Sequence, residues 1–460
     1  IDITAQDKVI DIACGSGGFL VAAFDRMIRT AKEIGVSTET VRESLYGFDT
    51  NPTVWSLAAL NMFFRGDGKS HIENASCFDP KSRDSTKGKF TKALLNPPFS
   101  QEEEPERDFI SAAMDSLQTL GVMAVVVKSG IFADDDNARW RYEFLKQHTL
   151  LGMISLPGDL FYPTAVDTTI MIAKAHRPQN KNDSIFMSKI WNDGFKKLKG
   201  KRVEAEGSQL PEVLEQFKRF MKGEEPNSQL VTTIKAEQLM EIGAEFSPEQ
   251  YLSQPDFLNN EQAYYIENVT RSILTSSICV EELADEVIDS FPMAEYALPN
   301  IPYGKSGTVE TFFTVAGGKS RGESNYLAGS CPYVSSGDPQ NSIIRLVRDV
   351  EGEVFRQGAI TVTCFGQAYV QPWRFMARGN GGSAVRVLLP KYRMTYAEIA
   401  WFAAQINMQK WRFFYGRMAI QRRLKELEIQ APHQKLEDSE SSIAEKIRAL
   451  SDRFADIMKG

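Results

Sequence analysis

Cysteine is scarce in this sequence. The 460 residues contain five cysteines, with no CxxC pair and no cluster of cysteine and histidine at the spacing of a zinc site. A framework of disulfides and a structural zinc centre are therefore excluded. We predict reduced thiols, a cytoplasmic protein and no metal site.

Long hydrophobic runs are also absent. No apolar stretch reaches the roughly 18 residues that a membrane-spanning helix needs, and the first residues do not resemble a signal peptide. These observations predict no membrane-spanning helix and no association with a membrane. Because Ile1 leads into a predicted strand almost at once, we expect a further N-terminal part of the protein before it.

Positive charge is in deficit over the whole chain. There are 53 lysines and arginines against 60 aspartates and glutamates, which gives a formal net charge of −7. Taken alone, this balance argues against a nucleic-acid-binding protein, since such domains are usually basic. The charge is unevenly distributed, however, because residues 370–425 hold eleven basic residues and one acid, Glu398.

That basic stretch predicts a DNA-binding surface. Clusters of lysine and arginine supply most contacts to phosphates, and arginine can also read guanine edges. The alternative is a solvated helix face beside a packing stripe formed by Trp401, Phe402, Trp411, Phe414 and Met418. The predicted DNA-binding residues are Arg374, Arg378, Arg386, Lys410, Arg412, Arg417, Arg422 and Arg423.

Short apolar runs alternate with helical patterns along the first 176 residues. This alternation predicts an α/β fold with a parallel sheet. Strands are predicted at 8–12, 45–48, 90–95, 121–127, 150–156 and 168–174, and helices at 19–34, 51–64, 108–120 and 139–148.

The composition changes after His176. Residues 177–230 are polar and lysine-rich, with one predicted helix at 210–222 and little strand, and further helical patterns cover 255–290, 395–428 and 438–458. Residues 296–395 are rich in glycine, serine and aromatics, with strand-like runs at 359–365 and 384–389. We predict a catalytic domain at 1–185, a connector with helices at 186–292, a mixed α/β domain at 293–435 and a C-terminal helix at 436–460.

A glycine-rich turn follows the first predicted strand. Asp11 ends the strand, and Cys14-Gly15-Ser16-Gly17-Gly18 leads into a helix. Glycine permits positive φ and the close approach of a ligand, and the start of a helix offers free N–H groups. The spacing G-x-G-G does not match the dinucleotide pattern G-x-G-x-x-G. It favours the amino-acid end of S-adenosylmethionine, whose amino group the preceding carboxylate can hold. The alternative is a turn that only packs the strand on the helix.

Asp49 ends the second predicted strand. A carboxylate at this position of a doubly wound sheet can accept both ribose hydroxyls of an adenosine. The alternative role is that of a helix cap. Because Asp49 comes one strand-helix unit after the glycine turn, we predict the ribose contact.

The most specific motif is Asn96-Pro97-Pro98-Phe99, at the end of the apolar run Ala93–Leu95. The two prolines remove two N–H donors and stiffen the turn. The Asn96 amide and the Pro97 carbonyl can then both accept hydrogen bonds from one amino group, and the aromatic ring can stack on a flat base. An exocyclic amine needs such acceptors, because its lone pair is otherwise delocalised into the ring. The alternative is a rigid loop with a capping asparagine.

Together, DIACGSGGFL, YGFDTNP and LLNPPFS resemble the amino-methyltransferases, in particular the N6-adenine DNA methyltransferases of type I and related restriction-modification systems. The resemblance covers about 8–176 and extends to GVMAVVVKSGIF, LPGDLF and DTTIMIAK. It implies a class I S-adenosylmethionine-dependent methyltransferase with a Rossmann-like sheet. It also implies double-stranded DNA as substrate, from which the target base is flipped out.

The resemblance assigns roles to individual residues. The methyl donor is expected near Asp11, Cys14, Gly15, Gly17, Phe19 and Asp49, and the target adenine near Asn96, Pro97, Pro98 and Phe99, with Phe161 on its other face. The family usually has an acidic residue after the third strand to bond the donor's adenine. Here Ser76 occupies the expected position and Asp79 follows it. The family's helical N-terminal domain and its Phe-Thr-Pro-like donor-binding segment are not found ahead of the glycine turn.

Residues 296–432 are similar to one repeat of the specificity subunits of type I systems, which implies a target recognition domain. Restriction or specificity subunits are the partners that this likeness implies. The amphipathic pattern at 438–458 could pack on the recognition domain or mediate a homodimer. The cluster Asp134-Asp135-Asp136 is predicted to be solvated, not a nuclease centre.

The leading hypothesis is therefore a site-specific adenine-N6 DNA methyltransferase with its own recognition domain. A second hypothesis keeps the chemistry but changes the substrate to RNA or to protein glutamine, since those families also use Asn-Pro-Pro-aromatic. A third is a DNA-specificity module whose methyltransferase half is an inactive scaffold.

Overall fold

The computed structural model describes residues 1–67, 71–99, 101, 103–161, 166–198, 201–241, 243–259, 261–278, 298–337 and 340–436. The chain forms two compact units, residues 1–253 and 254–460. The helix predicted at 438–458, and the part of the 255–290 prediction beyond residue 278, lie outside the described residues.

The first unit is built on a nine-stranded sheet with the order β11-β8-β6-β7-β5-β4-β1-β2-β3. Its strands are β1 (Val9–Asp11), β2 (Leu45–Phe48), β3 (His71–Glu73), β4 (Phe90–Leu95), β5 (Leu117–Lys128), β6 (Thr149–Ser155), β7 (Thr168–Lys174) and β8 (Ser184–Lys189), with β11 (Val231–Lys235) at the edge. A separate hairpin is formed by β9 (Phe195–Leu198) and β10 (Lys201–Glu204). The predicted α/β class is confirmed.

The sheet is mixed, whereas the sequence predicted a parallel one. β7 runs antiparallel to both of its neighbours, β5 and β6. A parallel return needs a crossover of a dozen or more residues, usually through a helix. The connection from Ser155 to Thr168 holds no helix among its described residues, and β7 pairs directly with β6 in the antiparallel direction.

Helices cover both faces of this sheet. They are α1 (Gly18–Ile34), α2 (Thr38–Arg42), α3 (Pro52–Phe64), α4 (Pro80–Thr86), α5 (Glu106–Ser116), α6 (Ala138–Gln147), α7 (Leu210–Met221) and α8 (Ala236–Glu241). One buried cluster joins α1 and α3 to the β1–β2 region, and a second joins α5, α6 and α8 to the opposite face. Helix α5 ends at Ser116, not at residue 120, because Leu117 is already paired with Phe90 of β4.

The segment predicted as a connector belongs partly to the sheet. β8 pairs with β6, and β11 pairs with β8, so a boundary at residue 185 would cut through a sheet strand. The compact units instead divide between Ser253 and Gln254. Ser184–Lys189 forms a strand because it pairs with β6, which is distant in the sequence. The polar residues around this segment gave no local pattern that predicted a strand.

The second unit is mixed α/β, as predicted for residues 293–435. Its helices are α9 (Asp256–Asn259), α10 (Gln262–Ile278), α11 (Val309–Phe312), α12 (Tyr396–Met408) and α13 (Gln421–Lys425). Its strands are β12 (Ser306–Thr308), β13 (Phe313–Gly317), β14 (Ala328–Val334), β15 (Ile343–Val347), β16 (Val354–Phe355), β17 (Ala359–Val362), β18 (Ala368–Gln371), β19 (Phe375–Ala377), β20 (Arg386–Pro390) and β21 (Glu428–Gln430). They form two four-stranded sheets, β13-β20-β17-β18 and β15-β14-β19-β16, and the pair β12-β21. The helix predicted over 395–428 is interrupted, because residues 413–420 contain a turn at Gly416, where φ is 93°.

A buried ion pair fixes the end of the first unit to its sheet. Lys189, the last residue of β8, donates from Nζ to Glu249 Oε1 at 2.9 Å, and the side chains are 12% and 1% exposed. Burial alone would raise the pKa of Glu249, but the Lys189 ammonium and the Ser247 hydroxyl outweigh it and lower the pKa to about 2. The pair therefore stabilises the fold above the ordinary carboxyl pKa, and the contribution is lost as pH falls from about 4.5 towards about 2.

Lys189→Met should destabilise the first unit by about 3–5 kcal/mol at neutral pH, because it leaves the Glu249 carboxylate buried without its ammonium. Arg26→Met is the matched control, since it removes an exposed pair with Asp2 and should cost at most about 1 kcal/mol. Urea unfolding followed by circular dichroism measures both free energies. Equal effects of the two variants would contradict the structural role of the buried pair.

Candidate active site

The glycine turn connects β1 to α1 at the carboxyl edge of the sheet. Gly15 and Gly17 have φ values of 55° and 83°, a region that side chains other than glycine rarely adopt. A Cβ on Gly17 would lie 3.3 Å from the Cβ of Ala58, whereas one on Gly15 would meet nothing within 4 Å. The turn is therefore closely packed on one side and open at Gly15.

Asp49 holds this turn against the end of β2. Its Oδ2 accepts a hydrogen bond from the Gly15 N–H at 3.0 Å, and its Oδ1 accepts one from the Asn51 N–H at 2.8 Å. The predicted turn residues and Asp49 thus form one hydrogen-bonded unit. A carboxylate has about four lone-pair sites, so both oxygens retain capacity for a ligand hydroxyl.

Two asparagines that the sequence analysis missed support the same unit. Asn61 donates from Nδ2 to the Ser16 carbonyl at 2.8 Å, and Asn74 donates to the Asp49 carbonyl at 2.8 Å. The signal for Asn61 was a single amide in the otherwise apolar C-terminal half of α3. Both side chains fix the backbone around the glycine turn.

Asp11 lies at the end of β1 with only 2% of its surface exposed. Its Oδ1 accepts a hydrogen bond from the Ala13 N–H at 3.1 Å, and in the described part of the chain no lysine or arginine forms an ion pair with it. Burial raises the pKa of Asp11 to about 7, with the nearby Asp49 adding to the shift. Such a carboxylate suits a cationic ligand group.

The other predicted donor-site residues lie around this turn. Cys14 is buried, and desolvation, together with Asp11 and Asp49, raises its pKa to about 12. It is therefore a neutral thiol near pH 7 and not a nucleophile. Phe19, in the first turn of α1, is 37% exposed.

The segment after β3 carries Ser76 and Asp79. The Ser76 hydroxyl accepts a hydrogen bond from the Phe78 N–H at 3.1 Å, while Asp79 is exposed and precedes α4. Between them Cys77 is buried, and it lines a cavity of about 350 Å³ together with Ile12 and Phe48. Ser76 is thus closer to the buried interior of the unit than the exposed Asp79.

The Asn-Pro-Pro-Phe motif follows β4 directly, beside the glycine turn. The parallel register pairs Ile10 with Ala93, which brings Asn96 to the level of Ala13. The Asn96 side-chain oxygen is buried and has no hydrogen-bond partner among the described residues. Pro97 is buried and Pro98 is exposed. A buried acceptor without a donor is costly, and a bound ligand amine would satisfy it.

The structure brings Phe99 and Phe161 together. Their ring centroids are 5.3 Å apart and their planes are perpendicular, at 89°. Stacking of a base on both rings at once, as predicted, requires parallel rings on either side of it. In this arrangement the two rings instead contact each other edge to face.

The predicted DNA-binding residues in the second unit divide by burial. Arg374, Lys410 and Arg422 are exposed, and Arg378, Arg386 and Arg412 are half-buried. Arg417 and Arg423 are 2% and 5% exposed and donate to the carbonyls of Arg412 and Met418. The prediction of phosphate contacts was wrong for these two, because their guanidinium groups satisfy backbone oxygens inside the fold.

The alternative packing stripe is confirmed only in part. Phe402 and Phe414 are buried, and Trp401 and Trp411 are half-buried, but Met418 is 37% exposed.

None of the helices in the described ranges has the length and apolar character needed to cross a membrane. Within the same residues, no group of three or more histidines, cysteines, aspartates or glutamates is arranged to hold a metal ion.

Comparison with known proteins identifies the family of the first unit. The model of the family described as N-6 DNA Methylase matches residues 1–259. A type II restriction enzyme and methyltransferase, RM.BcgI of Heyndrickxia coagulans, is 33% identical over 195 residues, which are 40% of this chain and 30% of that protein. The MjaIX methylase subunit of a type I restriction enzyme from Methanocaldococcus jannaschii is 21% identical over 246 residues, 47% of this chain and 42% of the relative.

Among solved structures, the methyltransferase subunit of a type I restriction-modification system from Streptococcus thermophilus has a TM-score of 0.44 and 20% identity. The match covers 55% of this chain and 54% of that one. The chain spans less than half the length of either curated relative. The family match and the nine-stranded sheet confirm the predicted class I methyltransferase fold for the first unit. The glycine turn and the Asn-Pro-Pro-Phe motif meet at one edge of that sheet. Because the family model matches more than half of the residues, this chain belongs to the N-6 DNA methylase family.

Proposed function

We propose that the protein is a site-specific adenine-N6 DNA methyltransferase of a restriction-modification system. It would transfer a methyl group from S-adenosylmethionine to an adenine flipped out of duplex DNA. The observation that carries the proposal is the buried Asn96 side-chain oxygen at the carboxyl edge beside the glycine turn, which has no donor in the part of the chain that the structure describes. An exocyclic amine is the donor that this acceptor fits.

The residues around the glycine turn fit the methyl donor. Burial raises the pKa of the Asp11 carboxyl to about 7, and the donor's ammonium group would favour its charged form. The Asp49 oxygens can accept the ribose hydroxyls, and the open side of Gly15 lets the ligand approach the backbone. Cys14, Gly17 and Phe19 would border the donor, and Ser76 would lie towards its adenine with Asp79 beyond it. S-adenosylmethionine supplies an electrophilic methyl group.

Asn96 prepares the target amine for attack. Its Oδ1, together with the Pro97 carbonyl, would accept the two amine hydrogens and favour a tetrahedral nitrogen whose lone pair is free to react. With S-adenosylmethionine bound, the nitrogen would gain the methyl group as the donor's carbon–sulfur bond breaks, and one amine proton would pass to water. A neutral amide positions the amine but does not take its proton.

Aromatic side chains would hold the flipped base. Phe99 follows the prolines directly, so its ring can stack on the adenine whose amine Asn96 binds. For Phe161 to cover the other face, its ring would have to leave the edge-to-face contact with Phe99. Base entry therefore replaces one aromatic contact with two stacking contacts.

The second unit would supply the DNA-binding surface. Phosphates are contacted chiefly by lysine and arginine, and Arg374, Lys410 and Arg422 are exposed in this unit. The half-buried side chains of Arg378, Arg386 and Arg412 can add contacts through their exposed portions.

Restriction or specificity subunits are the partners that would complete the system, and self-association as a homodimer is a further expectation.

Asn96→Ala should lower the rate of methyl transfer by about two to three orders of magnitude, as expected when a preorganised hydrogen-bonding group is removed from a reaction centre. The measurement is the incorporation of labelled methyl into mixed-sequence DNA, followed by nucleoside analysis for N6-methyladenine. Asn182→Ala, at an exposed asparagine in the same unit, should leave the rate unchanged.

Two results would refute the proposal. The first is label on cytosine, RNA or protein instead of adenine in DNA. The second is wild-type chain that binds no S-adenosylmethionine in calorimetry, as expected of an inactive scaffold. Full activity of Asn96→Ala would refute the role of the asparagine alone.

Donor binding should depend on pH through Asp11. Burial raises the pKa of this carboxyl to about 7, so it is neutral below that pH and attracts an ammonium group only above it. Between about pH 7 and pH 6 the affinity for S-adenosylmethionine should fall by up to about tenfold. Calorimetry on Asp11→Asn should show weaker binding that no longer changes over this range. An unchanged pH dependence in the variant would exclude Asp11 as the titrating group.

A further inference from the structure

Two aromatic side chains extend from neighbouring loops of the second unit. Tyr415 is 83% exposed and Phe365 is 49% exposed. Large apolar rings are usually removed from water, so two of them at adjacent loop tips need an explanation. We call Phe365 and Tyr415 the aromatic tips.

The loop that carries Tyr415 is a tight, rigid turn. The Arg417 N–H donates to the Phe414 carbonyl at 2.8 Å and closes a four-residue turn around Tyr415 and Gly416. Gly416 has a φ of 93°, as the third residue of such a turn requires. The buried Arg417 guanidinium donates to the Arg412 carbonyl and packs against the Phe413 ring. The fold thus supports the turn from inside while leaving Tyr415 in solvent.

The loop that carries Phe365 is packed against it. The Ala419 N–H donates to the Cys364 carbonyl at 2.8 Å. Gly366 has a φ of 79°, and a Cβ there would lie 2.3 Å from the Phe413 ring. The Gly366 N–H donates to the Thr363 carbonyl at 3.0 Å, which closes the β17–β18 turn. Both tips are therefore held by the same buried group of residues.

The charge around the tips selects a polyanion. Between Gly358 and Lys425 the sequence contains a single carboxylate, Glu398, and that residue is 1% exposed. Lys410, at the start of the segment that carries Tyr415, is exposed. Within this stretch of sequence no carboxylate is exposed, so the exposed groups that the stretch itself supplies are cationic or neutral, which favours phosphates.

We propose that Phe365 and Tyr415 insert into a groove of duplex DNA and stack against its bases. The inference rests on the proposed DNA substrate and adds the residues that engage the duplex beyond phosphate contact. Apolar wedges of this kind partly unstack base steps in many DNA-binding proteins, and aromatic rings stack on any base. The tips would anchor the recognition unit on the duplex next to its phosphate contacts.

The test is the affinity of the 460-residue chain for mixed-sequence plasmid fragments, measured over a range of salt concentrations. Tyr415→Ala should weaken binding by about tenfold without changing the slope of affinity against salt, and the double variant with Phe365→Ala should weaken it further. Lys410→Ala should instead reduce that slope by about one. Tyr264→Ala, at another exposed tyrosine of the same unit, is the matched control and should change neither quantity.

Two substitutions at one position separate stacking from simple hydrophobic burial. Tyr415→Trp should retain the affinity, whereas Tyr415→Leu should lose as much as Tyr415→Ala. Equal melting temperatures establish that the variants are folded.

Three outcomes would overturn the proposal. Tyr415→Ala that binds within about twofold of the wild type excludes the contact, since loss of a stacked base should weaken binding by about fivefold or more. If Tyr415→Ala reduces the slope of affinity against salt as Lys410→Ala does, Tyr415 positions a phosphate. If the wild-type chain sediments as a dimer and Tyr415→Ala sediments as a monomer, Tyr415 contacts a second copy of the chain. If wild-type chain methylates DNA in any of these cases, the proposed function stands and only the role of the tips fails. Wild-type chain that neither binds nor methylates DNA would overturn both.

Discussion

The carboxylate of Asp49 organises the carboxyl edge of the sheet in the first unit. Its two oxygens accept the N–H groups of Gly15 and Asn51, so one side chain joins the glycine turn after β1 to the start of α3. Asn74 and Asn61 then hold the backbone of Asp49 and of the turn itself. These four hydrogen bonds shape the candidate donor site together with the backbone bond from the Gly17 N–H to the Cys14 carbonyl at 2.8 Å.

The same edge concentrates polar groups whose partners are incomplete. Asp11 is buried with a raised pKa, and the Asn96 oxygen is buried without a donor among the described residues. Each arrangement costs free energy in the absence of a ligand. The parallel strands β1 and β4 bring Asp11 and Asn96 to one edge of the sheet. There the ammonium group of a methyl donor would pair with Asp11, and the amine that receives the methyl group would bond to Asn96. In the proposed function, binding of these two ligand groups would offset that cost.

The basic stretch near the C-terminus has two functions in the fold, which net charge cannot distinguish. Arg417 and Arg423 are interior residues that bind backbone carbonyls and shape the loops. Lys410, Arg374 and Arg422 are exposed. The interior arginines support a rigid surface, and the exposed residues give that surface its charge.

The sequence by itself determined the local chemistry and most of the elements near it. The glycine turn, Asp49 and the Asn-Pro-Pro-Phe motif could be read from residue types and spacing, and the strands at 90–95 and 168–174 agree with the structure. Local patterns succeed there because periodicity, glycine and proline act over a few residues. Only the tertiary structure decided that β7 runs antiparallel, that Ser184–Lys189 joins the sheet and that the first unit extends to Ser253. It also decided which arginines are buried and how the rings of Phe99 and Phe161 meet. Strand pairing and burial depend on residues far apart in the chain, and no local pattern records them.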